Sequence, residues 1–329
     1  MFSGLYVALV TPFDSKGRVA EEKLRELVDF HVEAGTDGLV PCGTTGETSV
    51  LTHEEHLRVV EVVVEAARGR LKVVAGAGTN STAKTIETVR RVAAAGVDGV
   101  LVITPYYNKP TQAGLVEHFC AVAGESPVPV VMYNVPGRTG VNLQPETVIR
   151  LSTEPQIAAV KEASGSVEQA SWILRGCEGR IDLLSGEDAL NFPLMAVGAT
   201  GTISVLGNIV PKDVRAMIAA VASGDWNESR RWHLRLLPLC QALFLESNPA
   251  PVKEALNALG FDVGRPRLPL VPMRPENRTR LERVLAEYSV EHGATGTAGN
   301  TGTAGNTGTA GNTGTAGAAE VVGGAGREG

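Results

Sequence analysis

The sequence predicts an α/β protein built as a (β/α)8 TIM barrel, with a helical C-terminal appendage and a tail outside the folded body. Three observations predict it. Eight short runs rich in Val, Ile and Leu alternate with longer amphipathic segments. The runs are apolar throughout, as expected of parallel strands covered on both faces. The segment AGTDGLV at 34–40 returns as AGVDGVL at 95–101, 61 residues later, the length of two strand–helix units. The competing fold, a doubly wound open sheet, lacks support because no G-x-G-x-x-G turn follows the first strand.

The strand-like runs fall at 5–10, 38–42, 71–76, 99–104, 128–133, 157–161, 181–185 and 201–205. A helix signal follows each one, as at 20–34, 53–68, 82–95 and 112–123, where apolar residues recur at i, i+3 and i+4. GATGTI at 198–203 is a weaker third copy of the repeat, and each copy carries a Gly where a helix end needs a cap. Past the eighth strand the pattern is purely helical, over 212–222, 226–245, 249–259 and 276–288. The first of these is the eighth barrel helix. The chain therefore reads as a barrel with the active site over 1–224, a helical region over 225–292 and a tail over 293–329. The tail repeats TGTAGN three times, holds 13 of the 38 glycines and has no aromatic residue. With so little to bury, its ordering entropy goes uncompensated, which predicts disorder.

Composition narrows the function classes. A hydrophobic fraction of 43% and a charged fraction of 20% exclude a wholly disordered chain. A net charge of −6 argues against a broad nucleic-acid surface. No apolar run approaches the ~20 residues needed to cross a membrane. The N-terminus, MFSGLYVALVTPFD, has no basic region before its apolar run and reads as a first strand rather than a signal peptide. Cys42, Cys120, Cys177 and Cys240 lie far apart, with no C-x-x-C pair and no His at metal-ligand spacing. They read as four reduced thiols of a cytoplasmic protein, with neither a disulfide framework nor a metal site.

In a barrel the working groups sit at the C-terminal ends of the strands. The second strand delivers Cys42 and then GTTGE (43–47); the fourth, Thr104, Pro105, Tyr106, Tyr107 and Asn108; the fifth, Tyr133, Asn134, Val135, Pro136, Gly137 and Arg138. The sixth delivers Lys161 and Glu162, the seventh Ser185, Gly186 and Glu187, the eighth Ile203 and Ser204. Lys161 closes the apolar run 157–160 and is one of only eight lysines. An amine desolvated among apolar side chains favours its neutral form, and a neutral amine attacks ketones to form Schiff bases. The alternative is a lysine whose head reaches solvent or pairs with Glu162. Lys72 opens a strand and so lies at the opposite face, and Lys109 sits in a loop. Three of the five tyrosines, Tyr106, Tyr107 and Tyr133, lie at adjacent strand ends, where a phenol can pass a proton. The GTTGE turn offers hydroxyls and backbone N–H groups to a carboxylate, or simply caps the next helix. Arg138, on a short turn after Pro136 and Gly137, carries a planar fork suited to a carboxylate, unless it is only a surface arginine.

Together, GTTGE (43–47), PYYNKPTQ (105–112), YNVPGRTG (133–140) and KEASG (161–165) resemble the dihydrodipicolinate synthase/N-acetylneuraminate lyase family of class I aldolases, over nearly all of residues 1–292. Within the family, Thr44 and Arg138 point to condensation of pyruvate with aspartate-4-semialdehyde rather than to cleavage of sialic acid or a 2-keto-3-deoxy sugar acid. A non-catalytic metabolite-binding barrel is the remote alternative, and it predicts a degraded site. The resemblance implies a Schiff base on Lys161, a proton relay of Tyr133, Thr44 and Tyr107, and pyruvate held by Thr45. It implies that Arg138 grips the semialdehyde carboxylate and that Gly186 and Ile203 shape the pyruvate pocket. It implies no metal or organic cofactor, and a homotetramer in which Tyr107 enters the neighbouring subunit's site. It also implies an allosteric lysine site near Ser49, His53, His56, Asn80, Lys84 and Tyr106. Lys84 stands where lysine-sensitive members carry Glu, so a cation would repel the effector's amine and inhibition should be weak.

Overall fold

The computed structural model describes residues 1–290; the predicted tail, 293–329, lies outside the described residues. Eight parallel strands close into a barrel in sequence order: β1 (Gly4–Ala8), β2 (Gly38–Val40), β3 (Lys72–Gly76), β4 (Gly99–Ile103), β5 (Val130–Asn134), β6 (Ile157–Glu162), β7 (Asp182–Ser185) and β8 (Gly201–Ser204). The seam is the parallel pair β1–β8, with Tyr6 opposite Ile203. Gly201 and Gly4 meet there because a Cβ on Gly201 would run into the Gly4 backbone.

The connecting helices are α1 (Glu21–Glu33), α2 (His53–Ala67), α3 (Thr82–Ala94), α4 (Gln112–Glu125), α5 (Pro136–Thr139), α6 (Pro145–Leu151), α7 (Val167–Cys177), α8 (Asn191–Ala196) and α9 (Pro211–Ala222). Their starts are chemically marked. Thr52 and Glu55 form a reciprocal capping box on α2, and Thr111 and Ser166 cap α4 and α7 with their hydroxyls. The repeated glycines close helices as the sequence predicts. Gly35, Gly96 and Gly198 take φ of 72°, 89° and 115°, which side chains disfavour.

Two apolar layers result. One lies between strands and helices and includes Leu24, Val63, Val89, Phe119 and Leu151. The other fills the barrel with Tyr6, Val40, Val74, Leu101, Val131, Ala159, Leu184 and Ile203, and Tyr133 is part of it. Side-chain alternation along β6 puts Ala159 and Lys161 into this inner layer's register and Val160 into the outer one. Burial is nearly complete in both, which is why these strands read as continuous apolar runs.

Three differences from the sequence reading have local causes. Strand β2 ends at Val40, two residues early, because Pro41 follows and Cys42 adopts a left-handed φ of 54°. Strand β5 starts at Val130, two residues late, because Pro127 and Pro129 precede it. Arg138 lies on a one-turn helix, α5, rather than on a bare turn. The C-terminal helices α10 (Trp226–Ala242), α11 (Ala250–Ala258) and α12 (Pro275–Val290) fall where the sequence places them. Helix α10 packs on α9, and α12 packs on α10 and α11. No described helix is long and apolar enough to cross a membrane. All four cysteines are free.

Candidate active site

The mouth of the barrel at the strand C-termini holds a cavity of about 280 Å³. It is lined by Thr44, Thr45, Tyr133, Arg138, Lys161, Gly186 and Asn248. A second cavity of similar size shares Thr44, Tyr133 and Arg138 and extends to Ser49 and Tyr106.

Lys161 reaches this mouth from inside the barrel. It pairs directly across from Tyr133 in the β5–β6 register, it is 5% exposed, and its Nζ lies 4.2 Å from the centre of the Tyr133 ring. The next residue, Glu162, points the other way. Its carboxylate accepts from Asn134 Nδ2 (3.0 Å), Gln169 Nε2 (3.1 Å) and the Ser164 N–H (2.7 Å). A lysine–glutamate pair at 161–162 is thereby set aside: the carboxylate is satisfied by other donors and the amine is left facing the cavity. Gly186 is required beside it. A Cβ there would lie 2.7 Å from Ala163 Cβ and 3.1 Å from Lys161 Cε.

The GTTGE turn is tightly built. Thr45 is buried and accepts a hydrogen bond from Asn248 Nδ2 at 2.9 Å. Gly46 carries its carbonyl to the Thr11 hydroxyl at 2.7 Å. Glu47 ends the turn in a left-handed conformation, φ 57°, 3% exposed. Its carboxylate takes Lys253 Nζ at 2.7 Å and the Arg267 N–H at 2.8 Å. Lys253 is 1% exposed, and the Phe13 ring lies 4.1 Å below its Nζ. Burial pulls the Lys253 amine down to about 8, against the opposing attraction of Glu47. Arg267 grips Glu55 with two nitrogens, at 2.7 and 2.5 Å, and also donates to Val50 O and Gly17 O.

The C-terminal region thus completes the site. Asn248 bridges Thr45 and Arg138, whose Nη2 donates to the Asn248 carbonyl at 3.4 Å. Sequence reasoning missed Asn248, Lys253 and Arg267. The one signal available was a lysine among apolar residues in PVKEAL, on a segment otherwise patterned as a packing helix.

The structure does not bring all the predicted residues together within one chain. Thr44, Thr45, Tyr133, Arg138, Lys161 and Gly186 share one cavity, and Ile203 lies in the barrel layer below it. Tyr107 does not join them. It is 87% exposed at a φ of 76° and lines neither cavity. Tyr106, 37% exposed, lines the second cavity with Ser49. Of the three tyrosines, only Tyr133 stands beside Lys161. The other effector-site candidates do not line that cavity. His53 and Lys84 are exposed, the Asn80 carbonyl accepts from Asn108 at 2.8 Å, and His56 Nε2 bonds the Gly76 carbonyl at 2.8 Å.

Comparisons with known proteins agree with this geometry. The model of the dihydrodipicolinate synthetase family matches residues 1–288. A curated relative from Geobacter sulfurreducens, named 4-hydroxy-tetrahydrodipicolinate synthase, is 53% identical over 290 residues, which is 88% of this chain and all of that one. One from Geotalea daltonii with the same name is 52% identical over the same shares. The crystal structure of dihydrodipicolinate synthase from Aquifex aeolicus superimposes with a TM-score of 0.86 at 44% identity, covering 88% of this chain and 98% of that one. The chloride-inhibited enzyme from Acinetobacter baumannii, complexed with pyruvate, gives 0.87 at 39%, covering 88% and 100%. A buried lysine facing a tyrosine at a barrel mouth, the sequence motifs around them and these matches converge: the chain belongs to the dihydrodipicolinate synthetase family.

Proposed function

We propose that this chain condenses pyruvate with L-aspartate-4-semialdehyde to give 4-hydroxy-tetrahydrodipicolinate, in lysine and diaminopimelate biosynthesis. The observation that carries this reading is Lys161, buried at the end of β6 against the Tyr133 ring, in a cavity that also presents Thr45 and Arg138. The amine of Lys161 attacks the ketone of pyruvate, and water leaves as the imine forms. Thr45 and the N–H groups of its turn hold the pyruvate carboxylate; Gly186 and Ile203 leave room for the rest. Loss of a methyl proton gives an enamine, because the imine accepts the electron pair, so no metal or organic cofactor is needed. The enamine attacks the aldehyde, whose carboxylate lies on Arg138. The amine of the semialdehyde then displaces Lys161 as the ring closes. Tyr133 and Thr44 move the protons.

Tyr107, the third hydroxyl of the implied relay, projects outward and lines neither cavity of its own chain. We read Tyr107 as the contribution of one subunit to its neighbour's site, in a homotetramer built as a dimer of dimers and working in the cytoplasm. The test is borohydride trapping with pyruvate, followed by mass spectrometry of the Lys161 peptide. A pyruvate-sized adduct on Lys161 is expected, and Lys161→Ala should abolish both adduct and turnover. Near-normal turnover in that variant would refute the assignment.

A further inference from the structure

Three charged side chains line the cavity around Lys161: Lys161 itself, Arg138 and Glu187. The first carries the ketone substrate and the second suits a carboxylate. Glu187 has no part in the reaction as derived above, yet among the described residues it is the only anion in the lining. It follows Gly186 at the end of β7 and is half-buried. Its two acidic neighbours are already satisfied. Glu162 holds Asn134, Gln169 and the Ser164 N–H. Asp188 accepts from the Ser204 hydroxyl at 2.5 Å and from the backbone N–H groups of Val205 and Leu206 at 2.9 and 2.7 Å. Glu187 is different: among the described residues no hydrogen bond or ion pair reaches its carboxylate. A half-desolvated carboxylate beside two others is an unfavourable arrangement unless a cation visits it.

We propose that Glu187 is the specificity residue for the aldehyde partner, binding its α-ammonium group while Arg138 binds its carboxylate. This rests on the function proposed above and adds what distinguishes that substrate from other aldehydes. An amino-acid aldehyde carries one positive and one negative group, matching the two charges left in the cavity once Lys161 has formed its imine. A sugar-acid aldehyde presents hydroxyls instead and leaves Glu187 without a counter-ion. Burial, with Glu162 and Asp188 nearby, already holds the Glu187 carboxyl above the usual carboxylate range, and a bound ammonium would offset that.

The experiment uses the full chain and two aldehydes. Succinic semialdehyde has the aldehyde and carboxylate of aspartate-4-semialdehyde but no amine. In Glu187→Gln, KM for aspartate-4-semialdehyde should rise by about tenfold or more, as expected for loss of a charge-assisted hydrogen bond. KM for pyruvate and Ki for succinic semialdehyde as a competitor should change less than about twofold. Glu187→Asp should recover part of the loss. An unchanged KM for the amino aldehyde, or an equal rise for both aldehydes, would overturn the proposal. Pyruvate trapping on Lys161 in the same samples separates the two readings. Trapping without aldehyde discrimination refutes the role of Glu187. Failure of trapping in the unmodified protein refutes the underlying function instead.

Discussion

The Lys253–Glu47 pair gives a sharp test of how the C-terminal region supports the site. Lys253→Met keeps the volume and removes the charge. The two groups lie 2.7 Å apart at 1% and 2% exposure. At an effective dielectric of 20 their gross attraction is about 6 kcal/mol. Burial nevertheless depresses the amine from 10.5 to about 8, which is roughly 3 kcal/mol against its protonation. That depression already includes the attraction of Glu47, so desolvation of the amine outweighs it, and the intact pair contributes no net stability. Removing only the cation is another matter. It strands the Glu47 carboxylate with the Arg267 N–H as its remaining hydrogen bond, at a cost of about 3 kcal/mol. Urea unfolding followed by tryptophan fluorescence should show that loss in Lys253→Met. The double variant Glu47→Gln/Lys253→Met should recover most of it. The turn bearing Thr44 and Thr45 is anchored through Glu47, so the single variant should also raise KM for pyruvate several-fold. A single variant within about 1 kcal/mol of the parent would refute this account. So would a double variant as unstable as the single.

Other expectations follow from the same geometry. Gly186→Ala inserts a methyl 2.7 Å from Ala163 Cβ and 3.1 Å from Lys161 Cε, so Ala163 must shift and the lysine must give by a few tenths of an ångström; turnover should fall by about tenfold while the fold survives by circular dichroism. His31 is fully buried, and burial lowers its pKa to about 3 from 6.5. The unfolded chain takes up a proton that the folded chain refuses, so stability should fall as pH drops below 6.5. The slope approaches about 1.4 kcal/mol per pH unit, and urea midpoints between pH 7 and 5 should be flatter in His31→Gln. Lysine should inhibit weakly because Lys84 adds a cation near the implied effector site, and steady-state assays with millimolar lysine decide it. Strong inhibition at low concentration would show that reading to be wrong.

The fold was legible because burial on both faces leaves a continuous apolar run for each strand. The 61-residue repeat fixed the unit length, and all eight strands lie where those runs fall. The strand errors lie at ends: β1 and β2 stop two residues early and β5 starts two residues late, the latter two beside Pro41 and Pro129. Lys161, Tyr133 and Arg138 were legible because strand ends map directly onto the barrel mouth. What escaped notice spans the chain. Thr45 and Asn248 are 203 residues apart, and Glu47 and Lys253 are 206 apart. No local pattern carries such a contact, and Lys253 reads as one more polar position on a short helix. The solvent-facing Tyr107 shows the converse. Its residue type marks it as a proton-relay candidate, but within one chain it reaches neither Lys161 nor Tyr133.

The grip of residues 248–267 on the second-strand turn has a consequence for synthesis on the ribosome. The chain emerges N-terminus first, so the turn at 43–47 is made early and Lys161 midway, while the bonds that set Thr45 and Glu47 wait for residues 248, 253 and 267. The barrel itself closes only when β8 meets β1. A nascent protein of about 240 residues therefore carries Lys161 without the last supports of the 43–47 turn. The order of translation keeps the Lys161 amine apart from a finished cavity until residues 248–267 have been made.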